Sequence, residues 1–107
     1  MENVWLQITE QETERQLDTH LEDALEPSCR VLIHNDNVTP YDFVILILQR
    51  IFKLELIDAE QVTLIAHTSG MAYVTTLPCP EAKRRVGKAH FAASLEGFPL
   101  TFSIEPE

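Results

Sequence analysis

Glycine is scarce, at three in 107 residues, which excludes a collagen-like or glycine-rich low-complexity chain. Basic residues are scarce too: 8 Lys and Arg face 17 acids, for a net charge of −9. Phosphate neutralisation needs a basic footprint, so the whole chain is not built to bind nucleic acid. No long apolar run occurs. The longest, Phe43 to Leu48, falls well short of the roughly 18 residues a membrane helix needs. The opening MENVWLQITE has neither a basic n-region nor an apolar h-region, so no secretory signal is expected. Cys29 and Cys79, the two cysteines, form no CxxC and no zinc spacing. Without an export signal, reduced thiols in a cytoplasmic protein are the expectation. What is present is ordinary for one compact domain: 45% hydrophobic and 23% charged residues.

The acidity is concentrated at one end. Residues 1–26 hold eight acids against Arg15 alone, for −7, and residues 27–107 hold nine acids against seven bases, for −2. Residues 1–28 therefore read as an acidic, flexible extension and 29–107 as the core domain. Within the extension, Leu17, Leu21 and Leu25 recur at helical spacing, enough for a marginal helix over about 10–26 that Pro27 ends.

Hydrophobic periodicity divides the core. Cys29–His34 reads as a strand, broken by the turn-forming Asn35-Asp36-Asn37. Thr39 suits an N-cap and Pro40 a first helical position, predicting a helix over about 40–53 that is apolar almost all round. Asp58 with Gln61 resembles a capping box for a second helix, with Val62, Leu64, Ile65 and Ala66 as its apolar positions and Gly70 as its stop. Met71–Leu77 reads as a strand. Pro78 and Pro80 bracket a third helix start, with Ala82, Val86, Ala89 and Ala93 on one stripe and Lys83, Arg84, Arg85 and Lys88 elsewhere. Gly97 ends it, and Leu100, Phe102 and Ile104 alternate as the inward face of a last strand. The order β-α-α-β-α-β predicts an α+β fold: a two-layer sandwich of a three-stranded antiparallel sheet and three helices.

That order, with V31-L32-I33-H34-N35-D36-N37-V38-T39-P40, F43-V44, L48-Q49, A66-H67-T68-S69-G70, E81, V86 and P99-L100-T101-F102-S103-I104-E105, resembles ClpS, the adaptor family of bacterial Clp proteases, over roughly residues 29–105. The resemblance implies an adaptor and not an enzyme. It implies recognition of substrates by a bulky hydrophobic N-terminal residue (Phe, Tyr, Trp or Leu) and their delivery to a hexameric AAA+ unfoldase of the ClpA or ClpC type, which feeds ClpP. It implies no cofactor and no metal.

An α-amino group is largely protonated near neutrality and offers three donors in a tetrahedral fan, so a site for it needs convergent acceptors. Asn35 can supply an amide oxygen, Asp36 a carboxylate and neutral His67 a ring nitrogen. Alone, Asn35-Asp36 reads as a turn and His67 as a helix-end residue. The resemblance assigns all three to the amine, and assigns the side-chain pocket to Thr39, Tyr41, Val44, Thr63, Ala66 and Leu100. Val44 and Leu100 also read as plain core. Four positions depart from the family's usual residues: Asn37 replaces a second Asp, Tyr41 and Thr63 replace Met, and Ala66 replaces Val. Glu81 and Arg85 match the family's unfoldase contact. Otherwise Lys83-Arg84-Arg85 is a solvated basic face, or one that holds the acidic tail at low salt.

Other functions have weaker support. The scaffold is similar to the C-terminal domain of the ribosomal stalk protein, so a different protein-interaction module is the main alternative. Factor docking, however, needs no amine clamp. A Cys–His hydrolase using Cys29 or Cys79 with His67 lacks an acid in register. His34 and His67 alone do not make a copper or zinc site.

Overall fold

The computed structural model describes residues 26–107; the expected helix over 10–26 and nearly all of the acidic extension lie outside them. The chain runs β1 (Ser28–His34), α1 (Tyr41–Arg50), α2 (Leu56–Ser69), β2 (Met71–Pro78), α3 (Cys79–Leu95) and β3 (Thr101–Pro106). The strands form one antiparallel sheet in the order β2-β1-β3. The predicted element order and layering are thus what the chain adopts.

Strand alternation decides which side is covered. Cys29, Val31 and Ile33 of β1, Ala72 and Val74 of β2 and Phe102 of β3 are buried. Tyr73 and Arg30 lie on the other side, where Arg30 pairs with Glu105 across the β1–β3 register. α3 lays its predicted stripe, Ala82, Val86, Ala89 and Ala93, into this core. Small side chains there let the helix lie close to the sheet. Val44, Ile47 and Leu48 of α1 and Phe52, whose ring lies 4.9 Å from that of Phe102, complete the core. β1 is central, so β2 and β3 are edges. On β3 the outward Phe102 N–H donates to His90 Nε2 of α3 at 2.9 Å. On β2 an irregular register opposite Val31 and Leu32 bends the strand.

The helix starts differ from the sequence expectation. Pro40, not Thr39, is the N-cap of α1, and no side chain caps that end. Pro40 instead lends its carbonyl to the N–H groups of Phe43 and Val44. α2 begins at Leu56, after Glu55, which leaves Asp58 in the first turn rather than capping it. There its charge still favours the positive end of the helix dipole. Leu64 and Ile65, expected inward, are exposed, whereas Thr63 is buried. Burial of Thr63 is tolerable because its hydroxyl donates to the Ala59 carbonyl at 2.7 Å.

The cysteines also depart from expectation. Cys29 and Cys79, expected as reduced thiols, form a disulfide with Cα atoms 4.9 Å apart. Their 50-residue separation hides a neighbourhood that the strand pairing creates. Ser28 lies opposite Pro78, and the Cys79 N–H donates to the Pro27 carbonyl at 2.9 Å. The start of β1 and the start of α3 therefore share one corner.

Candidate functional site

At the opposite end of β1 the chain leaves the sheet through Asn35–Pro40. Asp36 builds this loop. One carboxylate oxygen accepts the N–H groups of Val38 at 2.8 Å and Thr39 at 2.6 Å, and the other accepts the Thr39 hydroxyl at 2.9 Å. Partial burial alone would raise its pKa; the bonds from Thr39 and Val38 outweigh that and hold the carboxyl below its ordinary value. Asp36 is therefore a fixed negative charge at the loop's centre. It takes the place Thr39 was expected to have in organising the start of α1.

The last turn of α2 is brought to this loop by its C-cap. Gly70 has φ 90°, a left-handed conformation that glycine adopts without a Cβ penalty. Its carbonyl accepts the Asn35 N–H at 2.9 Å. This one bond ties the end of β1 to the end of α2 and makes His67 a neighbour of Asn35. The His67 ring meets the Tyr41 ring edge-on, with centroids 5.2 Å apart.

Between these pieces lies a cavity of about 460 Å³, within the range of small-ligand sites. It is lined by Asn35, Asp36 and His67, and by Thr39, Tyr41, Val44, Thr63, Ala66 and Leu100. Val44, Thr63, Ala66 and Leu100 are buried and form its apolar wall, while Asn35, Tyr41 and His67 are exposed at the mouth. The chemistry is that of a small amphipathic ligand: polar acceptors and a negative charge on one side, an uncharged recess on the other. The nine residues singled out for amine and side-chain binding are thus gathered at one place. Glu81 and Arg85 are not part of it; they lie on α3, where Glu81 pairs with Arg85 at 3.5 Å and Arg84 at 3.4 Å. Hydrogen bonding from Arg84 leads the causes that lower the Glu81 pKa, against some desolvation.

The sequence reading missed part of the lining: Ile33, His34, Asn37, Val38 and Pro40 also border the cavity. His34 is the informative omission. Its Nε2 lies 2.6 Å from the Ser103 hydroxyl of β3, which fixes the ring beside Asn35. A histidine ending a strand immediately before the turn was the available signal. No group of three or more metal-ligating side chains occurs among the described residues. Among them, no helix is long and apolar enough to cross a membrane.

Comparison with known proteins adds three findings. Residues 24–103 match the family described as ATP-dependent Clp protease adaptor protein ClpS. A ClpS adapter from Desulfatibacillum aliphaticivorans is 35% identical over 78 residues, covering 73% of this chain and 75% of that protein. One from Desulfotalea psychrophila is 36% identical over 100 residues, covering 90% and 98%. Among solved structures, Agrobacterium tumefaciens ClpS2 bound to L-phenylalaninamide superposes with a TM-score of 0.73 at 31% identity, covering 76% of this chain and 98% of that one.

Proposed function

This chain belongs to the ClpS family of ATP-dependent Clp protease adaptors, a non-catalytic family, and on that premise we propose that it captures substrates by a free N-terminal residue and delivers them to a Clp unfoldase. The observation that carries the reading is the cavity itself, where Asn35, Asp36 and His67 border a recess walled by Val44, Thr63, Ala66 and Leu100. An ammonium group beside the fixed Asp36 charge is electrostatically matched. The similar Agrobacterium protein, bound to an amino acid amide with a free amine and a phenyl ring, supports the same polarity of binding.

In this reading Asn35, Asp36 and His67 hold the α-amino group, and Thr39, Tyr41, Val44, Thr63, Ala66 and Leu100 hold the first side chain. Tyr41 leans on His67, which supports a pocket whose mouth is narrowed but open. A rigid ring there disfavours β-branched residues, whose bulk lies close to the backbone. Small Thr63 and Ala66 leave depth for a flat aromatic. N-terminal Phe, Tyr or Trp is therefore preferred at least equally with Leu, and Ile and Val are poor. Glu81 and Arg85 contact a ClpA- or ClpC-type unfoldase working with ClpP, in the cytoplasm, where a reducing pool would hold Cys29 and Cys79 as adjacent thiols.

Peptides differing only in the first residue, each with a free and an acetylated N-terminus, test this by fluorescence anisotropy. Free Phe- and Leu-led peptides should bind, Ile-, Val- and Ala-led ones weakly, and acetylation should abolish binding. Equal affinity for free and acetylated forms would refute the amine clamp. Uniformly negligible affinity would mean that Tyr41 closes the pocket.

A further inference from the structure

α3 carries a second face that neither the core nor the cavity uses. Its buried stripe is Ala82, Val86, Ala89 and Ala93. At 3.6 residues per turn, Arg84, Lys88, Phe91 and Leu95 fall on one line about half a turn away. All four are exposed, Phe91 at 64% and Leu95 at 69%. Exposed Lys83 flanks the line. The helix thus presents a basic half near its start and an apolar half near its end.

The unassigned part of the chain complements this face in charge, polarity and length. The leader departs from the N-terminal end of α3: the Pro27 carbonyl accepts the Cys79 N–H, and Cys29 is bonded to Cys79. Its nearer half carries Glu14, Asp18, Glu22 and Asp23 beside Leu17, Leu21 and Leu25; its far end is the apolar run Val4-Trp5-Leu6-Gln7-Ile8. α3 has 17 residues, roughly 24 Å at the helical rise. Even a fully helical leader spans that length, and an extended one exceeds it. A leader running antiparallel to α3 brings acids alongside Lys83, Arg84 and Lys88, and the Trp5 region alongside Phe91 and Leu95.

We propose that this acidic leader, residues 1–25, docks back along the Arg84–Lys88–Phe91–Leu95 face of α3 in the same molecule. The ionic half is sensitive to salt, because the screening length shortens from about 30 Å at 0.01 M to about 8 Å at 0.15 M. The apolar half is not. The inference does not depend on the adaptor reading, since its test contains no peptide and no unfoldase.

Trp5 is the chain's one tryptophan and reports docking directly. In the full chain at low salt, its emission should be blue-shifted and its acrylamide quenching constant severalfold below that of N-acetyltryptophanamide. Phe91→Ser with Leu95→Ser, and separately Lys83→Glu with Lys88→Glu, should restore quenching towards the free value. These side chains are exposed, so circular dichroism should show the core unchanged. Ile57→Ser with Leu64→Ser, at exposed positions on α2, should leave Trp5 alone. Full quenching of Trp5 in the unaltered chain overturns the proposal. So does protection that follows the α2 pair rather than the α3 pairs, or that grows with protein concentration, which would indicate a second copy as host.

Discussion

Asp36 is the residue on which loop geometry and ligand electrostatics meet. Its oxygens already accept three hydrogen bonds, yet a carboxylate has about four acceptor sites, so an ammonium can still approach. Asp36→Ala should weaken a free-amine peptide by about 1.5–3 kcal/mol, the scale for hydrogen bonds to charged groups, measured by anisotropy. It should also loosen the Val38 and Thr39 amides, seen as faster hydrogen exchange. The folded carboxyl titrates below its ordinary value of 3.8. Its contribution to stability is therefore complete above 3.8 and is lost as pH falls through the lower folded value. An acid titration of the Val38 and Thr39 amide resonances should show that order, and a transition above 3.8 would contradict it. The loop itself was legible in the sequence, because Asn-Asp after a strand reads as a turn, and only the family resemblance singled it out as a binding motif. The division of labour between Asp36 and Thr39 was not, since either residue type can cap a helix, and here neither does: Asp36 accepts the loop's own donors and Pro40 takes the N-cap position.

Among the elements, α2 shows where sequence reasoning fails and why. Its apolar residues are distributed around the whole helix, so periodicity could not choose a buried side; contact with β2 and α1 chose Ala59, Thr63 and Ala66. α3, with its clean alanine stripe, was read correctly for the opposite reason. Gly70 was equally legible, because a stop of this kind needs left-handed backbone. An added Cβ there meets nothing within 4 Å, so Gly70→Ala should cost only the backbone term, about 1–2 kcal/mol, by urea unfolding. Because the Gly70 carbonyl holds Asn35, peptide affinity should fall as well. The Cys29–Cys79 link was invisible to spacing rules, as its partners are 50 residues apart. Closing so long a loop restricts the unfolded chain, so reduction should lower stability by about 4 kcal/mol in the chain-entropy account. Matched urea curves with and without reductant measure this.

At the scale of the whole molecule, the two ends of β1 do different things. His34 opens onto the cavity, and Ser28 marks the corner where β1 and α3 begin. Deleting residues 1–26 should leave peptide affinity unchanged, since the residues placed in the pocket all lie at or beyond Asn35, while lowering the rate at which a Clp protease degrades a Phe-led substrate. A shortened chain that drives degradation at the full rate would contradict this. Residues 1–26 carry −7, which leaves residues 27–107 nearly neutral. The capped edge of β3 has a further importance. An open strand edge templates growth by a second chain. By occupying the outward Phe102 N–H, His90 denies a neighbouring strand one of the donors with which a fibril would begin, so the imidazole guards the protein against its own copies at high concentration.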